Sequence, residues 1–222
     1  MTGGFFVRYW VSSAIVVAAA GGLAGCGNEW GGGTGVGNPG TTRIALAEPE
    51  PGVTMRSAGG RVSVIEAGRC DGSIDPEVVA SEVDLLGAGP FPLPAGELCE
   101  LAVVFDPPVT VIGDVSGGAT FHVALDVRRV SVPVDPPFTL DGDALVYELG
   151  KDAWLDLERL GYPAPGDAVE IAPGSPLHDD VAHRLSRSKL FIDADGDGAL
   201  SVDERAVPIG RPPDDDDDDD DD

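Results

Sequence analysis

Ala119-Thr120-Phe121-His122-Val123-Ala124-Leu125-Asp126-Val127 decides the class of fold. Side chains of an extended strand point alternately to opposite faces, so Ala119, Phe121, Val123, Leu125 and Val127 share one side. Thr120, His122, Ala124 and Asp126 share the other, and Arg128 continues that row. Such a strand buries its first face and leaves its second in water, as in a sheet with one wet side.

The same alternation spreads outward in both directions. Val130, Val132 and Val134 repeat it downstream, and Leu145, Tyr147 and Leu149 close the series. Upstream, short β-like runs occupy residues 43–47, 53–57, 61–66, 81–86, 98–105 and 110–113, with Gly, Pro and Asp between them. Ala58-Gly59-Gly60 reads as the turn of a hairpin. About eight short strands at roughly 8–12 residue spacing predict a mainly β domain over residues 41–150, an antiparallel β-sandwich of the immunoglobulin or transthyretin kind.

Inside this region Val83-Asp84-Leu85-Leu86, then Leu93-Pro94-Ala95-Gly96, then the alternating apolar run 98–105 follow one another. That succession resembles a group of uncharacterised bacterial lipoprotein domains with a sandwich-like β fold. The resemblance implies a turn at Leu-Pro-Ala-Gly before a strand, and it brings no catalytic residues with it.

Toward the C-terminus, Asp193-Ala194-Asp195-Gly196-Asp197-Gly198-Ala199-Leu200-Ser201-Val202-Asp203-Glu204 fits the pattern D-x-[DN]-x-[DN]-G-x5-E without a departure. It resembles the EF-hand calcium loop, and since no second D-x-D-x-D-G stretch exists, it is closest to lone loops of the dockerin kind. The resemblance implies Ca²⁺ held by Asp193, Asp195 and Asp197, by the Ala199 carbonyl, by Ser201 directly or through water, and by both oxygens of Glu204. Gly198 makes the sharp turn. Ser175 and Pro176, followed by Asp179 and Asp180 and by Leu177, Val181, Leu185 and Ile192 at helical spacing, predict a helix entering the loop. Downstream, Pro208 limits any exiting helix to about a turn and a half. The competing reading is a solvated Asp/Gly turn without an ion; converging carboxylates repel one another, which favours the metal.

Residues 1–25 have the three-part grammar of an export signal, with Arg8, an apolar run and then small residues. Leu23-Ala24-Gly25-Cys26 matches the lipobox of bacterial lipoproteins, which implies cleavage before Cys26 and a lipid on it. Gly27 stands where Asp signals inner-membrane retention in that group, so the expected address is the cell envelope, at the outer membrane. Residues 26–40 form a glycine-rich tether. Within it Gly35-x-Gly37-x-x-Gly40 imitates a dinucleotide fingerprint, but no strand precedes it and Pro39 interrupts it. With Cys26 committed to lipid, Cys70 and Cys99 are an even pair in an oxidising compartment, and a disulfide between them is predicted.

Net charge is −25, nine of the negative charges lying in the aspartate run 214–222. Nucleic acid is excluded as a partner, because phosphates require a basic face. Residues 209–222 are expected to be a disordered acidic tail, joined to the calcium segment 176–208 and a connector with a short helix at 151–175.

No nucleophile elbow or H-E-x-x-H motif occurs, and the three histidines are badly placed for catalysis. His122 lies on the polar face of its strand, while His178 and His183 are about 140° apart on the proposed helix. Trp154 is expected to plug one end of the sandwich, the alternative being a sugar-stacking ring. The whole predicts a monomeric, non-enzymatic, calcium-binding, membrane-tethered protein. An adhesive or carbohydrate-binding module with a cell-surface protein or glycan as partner, and a hydrolase with unidentified acids, stand as alternatives.

Overall fold

The alternation at residues 119–127 becomes strand β6 (Ala119–Leu125), in which Ala119, Phe121, Val123 and Leu125 are buried and His122 is exposed. The structure, a computed structural model, describes residues 37–150 and 153–212. The proposed signal, Cys26, the tether up to residue 36 and the aspartate run lie outside the described residues.

A larger sheet is organised on β5 (Gly96–Val115), long enough to serve two neighbours on one edge. Its 109–115 half pairs with β6 and its 96–104 half with β7 (Arg129–Leu140). The opposite edge pairs along its length with β2 (Val53–Gly68), which in turn carries β3 (Ile74–Asp84). Outside β6 lies β9 (Ala168–Ile171). A smaller sheet has the order β10 (Lys189–Ile192), β8 (Ala144–Leu149), β1 (Gly40–Leu46), β4 (Ala88–Leu93). Among the described residues two short helices complete the elements, α1 (His178–Ser186) and α2 (Val202–Arg205).

The protein is thus mainly β in two sheets, as the alternation predicts. The expectation of purely antiparallel pairing is corrected, because β1 with β8 and β6 with β9 are parallel pairs. Parallel neighbours need a long crossover, and the chain supplies one: between β1 and β8 it runs through all of β2 to β7. A single hydrophobic cluster draws on both sheets, with Val62, Leu101, Val103, Phe121 and Val132 from the larger and Ile44, Leu46, Leu145 and Tyr147 from the smaller. Within it the Tyr147 hydroxyl donates to the Val130 carbonyl oxygen at 2.9 Å, and burial pushes its pKa up.

Ala58-Gly59-Gly60 is not a turn. β2 runs straight through it, and the residues on both sides pair with β5. The ladder shifts register between Gly59 and Arg61, so the glycines mark an irregularity in a continuous strand. Likewise residues 98–105 and 110–113 are halves of one strand. At a third glycine, Gly113 of β5, there is no room for a side chain: a Cβ there would collide with the Thr54 carbonyl oxygen and the Phe121 ring. Gly113→Ala is therefore expected to destabilise by about 1–3 kcal/mol through overpacking, read as a lower denaturation midpoint. An unchanged midpoint would mean that the strand relaxes freely.

The Leu-Pro-Ala-Gly turn lies where the sequence places it, between β4 and β5. The Arg69 guanidinium holds it, donating to the carbonyl oxygens of Pro94 at 3.0 Å, Ala95 at 3.1 Å and Glu97 at 3.2 Å, and to Asp75 at 2.7 Å. Gly96 has φ +126°, which favours a residue without a Cβ, and that Cβ would press on Arg69. Next to Arg69, Cys70 is disulfide-bonded to Cys99 of β5, as predicted.

Trp154 is fully buried, with its indole N–H donating to the Ala47 carbonyl oxygen at 3.0 Å. It is a plug under the end of β1, and the sugar-stacking alternative falls because no face of the ring is exposed. Beyond it, the chain past residue 150 contributes β9 to one sheet and β10 to the other. Among the described residues no helix is long and apolar enough to cross a membrane.

Candidate metal centre

The predicted entering helix ends early. α1 begins at His178 with Leu177 as its N-cap residue, not Ser175, and stops at Ser186. The chain then turns into β10, so a strand, not a helix, leads into the acidic loop. Leu185 and Ile192 keep helical spacing by coincidence. What decides is the pairing of Leu190, Phe191 and Ile192 with Tyr147, Val146 and Leu145 of β8. His178 is a structural residue, its Nε2 accepting from the Asp126 N–H at 3.2 Å and its Nδ1 meeting Asp179 Oδ1 at 2.9 Å.

Asp193 leaves β10 with its own N–H donating to the Ala144 carbonyl oxygen at 2.9 Å, and it is only 5% exposed. Its carboxylate organises the loop. Oδ1 accepts from the Gly196 N–H at 2.8 Å and Oδ2 from the Gly198 N–H at 2.9 Å. Asp195 accepts from the Asp197 N–H at 3.2 Å, and Asp197 from the Ala199 N–H at 2.7 Å. Short acidic side chains that bond to backbone just ahead of them wind the chain tightly. Gly196 and Gly198, at φ +72° and +83°, supply the left-handed turns this requires.

The winding gathers the charge. Asp193, Asp195 and Asp197 each offer an oxygen within 4.8 Å of the others. At 4.8 Å two carboxylates repel by roughly 1 kcal/mol in water and about 3.5 kcal/mol at the effective dielectric of a protein surface. A cation among them would offset all three repulsions at once, and three hard oxygens are the donor set of a hard divalent ion. Among the described residues no other group of three acidic, histidine or cysteine side chains gathers in this way.

Glu204 stands outside that group of three. Its Oε1 accepts from the Ala194 N–H and its Oε2 from the Ser201 N–H, both at 2.7 Å, while the Ser201 hydroxyl accepts from the Glu204 N–H at 3.3 Å. The last two bonds are a capping box that starts α2. Hydrogen bonds from Ser201, and then from Ala194, hold the Glu204 carboxyl below its usual range. Ser201 is thus engaged as a helix cap, and Ala199 is an exposed residue whose N–H serves Asp197. α2 is a single turn, in keeping with the stop expected before Pro208.

The loop lies over the outer face of the smaller sheet. β8 is buried on both sides: Leu145, Tyr147 and Leu149 face the core, while Val146 and Glu148 point the other way and are each 2% exposed. From α2, Arg205 reaches Glu148 at 2.7 Å. From β1, the Arg43 side chain lies against Gly198. The sequence pattern marks neither contact, since both join residues far apart along the chain. The chain matches no protein-family model, no curated protein and no solved structure.

Proposed function

We propose that this is a non-enzymatic calcium-binding protein of the cell envelope, tethered to the outer membrane by a lipid on Cys26. In this reading the ion is structural and fastens the segment 193–209 to the smaller sheet. The observation that carries it is the set of three carboxylates within 4.8 Å, wound up by Asp193 and the two left-handed glycines. Ca²⁺ takes six to eight oxygens, so Asp193, Asp195 and Asp197 would be joined by the Ala199 carbonyl, by Ser201 or a water on it, and by Glu204 turning from its backbone donors to the ion. The lipobox residues Leu23-Ala24-Gly25-Cys26 support the anchor, and the hydrophobic cluster shared by the two sheets supports reading them as layers of an immunoglobulin- or transthyretin-like sandwich. Mass spectrometry of the mature N-terminus tests the anchor directly, a diacylated Cys26 being the expected product and an unprocessed leader the contrary one.

Lone extracellular calcium modules bind at about 10⁻⁴ to 10⁻³ M. At free calcium 100 times the dissociation constant, the folded state gains about 2.7 kcal/mol, or roughly 5–10 °C in melting temperature for a domain of this size. Replacing Asp195 and Asp197 together by Asn keeps the side-chain oxygens that accept from Asp197 and Ala199 but removes two charges. The double variant should fold and melt at or above the wild type in chelator, because the mutual repulsion of three carboxylates is gone, and its calcium shift should shrink at a given calcium concentration, because affinity follows the charge count of the ligands. An undiminished shift at every calcium concentration would place the ion elsewhere.

A further inference from the structure

Arg43 projects from the outward side of β1, between Thr42 and Ile44, which are both fully buried. In the parallel register it stands beside Val146 of β8. Its side chain crosses the sheet to the acidic loop and fills the space that a Cβ on Gly198 would need, with Cζ 2.7 Å from that position. Gly198 follows Asp197, and its N–H is the donor to Asp193 Oδ2. The Gly198 turn of the loop is therefore seated against the half-buried Arg43 side chain. The Arg43 guanidinium forms no ion pair among the described residues, and it meets the acidic turn at Gly198, whose N–H serves Asp193.

We propose that Arg43 is a built-in counter-charge for this loop, seating it on the smaller sheet when no cation is bound and weakening cation binding when one is. The first half needs only the acidic turn; the second rests on the calcium reading above. Both follow from one sign. A positive charge beside three carboxylates lowers the energy of the metal-free loop, of charge −3, more than that of the same loop holding a divalent ion, of charge −1, because it repels the ion, so it widens the gap that the ion must cover. Seating and affinity therefore move in opposite directions when the charge is removed. A residue that merely packs would move them together or leave affinity alone.

The test is Arg43→Met, which keeps the length of the chain without its charge, alongside Arg43→Lys, which keeps the charge. Melting is measured in chelator, and calcium affinity by titration of the full chain with calcium chloride. In chelator R43M is expected to melt a few degrees below wild type. In calcium it is expected to bind about tenfold more tightly at low ionic strength, a change of about 1.4 kcal/mol. The gain should shrink as salt rises, because the screening length falls from about 30 Å at 0.01 M to about 3 Å at 1 M. R43K should stay near wild type in both assays. If wild type binds calcium and R43M binds it equally or more weakly, the counter-charge is overturned while the calcium site stands. If wild type binds no calcium, the calcium reading fails and the chelator arm decides alone: an unchanged or raised melting temperature in R43M overturns the seating role, and a lowered one sustains it. Should R43M fail to fold, Arg43→Gln carries the same expectations.

Discussion

Trp154→Ala is expected to cost about 3–5 kcal/mol of unfolding free energy, enough to leave a domain of ordinary stability near its threshold. The ring is fully buried, so its removal loses a large transfer term and opens a cavity that rigid strands cannot collapse to fill. A second loss comes from the bond between the indole N–H and the Ala47 carbonyl oxygen, which would leave that acceptor without its donor. Trp154→Phe separates the two contributions by keeping most of the ring and losing the bond, and should cost about 1–2 kcal/mol. Denaturant titration with an unchanged slope is the measurement. A loss under about 1 kcal/mol for the alanine variant would mean that the plug contributes little packing.

Removing the disulfide with Cys70→Ser and Cys99→Ser has the next largest expected effect. The bond closes a loop with a sequence separation of 29, and a loop of that length constrains the unfolded chain by about 3–4 kcal/mol on the chain-entropy relation. In the folded state the bond joins the chain just after β2 to β5, beside the turn that Arg69 holds through three carbonyl oxygens. Those bonds remain when the sulfurs are gone, so the double-serine protein should keep its β-sheet circular dichroism at room temperature while its denaturation midpoint falls. An unchanged midpoint would contradict the entropic role, and loss of folded signal at room temperature would show that the Arg69 turn depends on the covalent link.

Both effects act on parts of the chain that sequence reading reached unevenly, and the reasons are physical. Where one face of a strand is core and the other is less buried, as in β1 and β6, alternation makes the strand legible, although β1 starts at Gly40, ahead of the expected 43, and β6 ends at Leu125, short of 127. Ala58-Gly59-Gly60 misled because glycine marks a turn and a strand irregularity alike; only the continued pairing with β5 tells them apart. β4 reads as turn residues, with Gly89, Pro90 and Pro92 in six positions, and forms a strand because β1 lies beside it. Parallel pairing of β1 with β8 was out of reach, since periodicity carries face and not direction.

The candidate site divides the same way. Asp193, Asp195, Asp197 and the turning glycines were legible because the chemistry needs them at fixed spacing within one local winding. The Glu204 capping box with Ser201 was hidden under its expected role as a ligand, although Ser-x-x-Glu is a capping signature in its own right. Arg43 was invisible because it meets the loop only through the tertiary fold.

Isothermal titration of the chelator-stripped wild-type chain with calcium chloride tests the central claim most directly. The account predicts one binding event per chain with a dissociation constant of about 10⁻⁴ to 10⁻³ M, weakened in the Asp195→Asn, Asp197→Asn double variant. No heat of binding from folded protein up to about 10 mM calcium, well above the range of such modules, would contradict it.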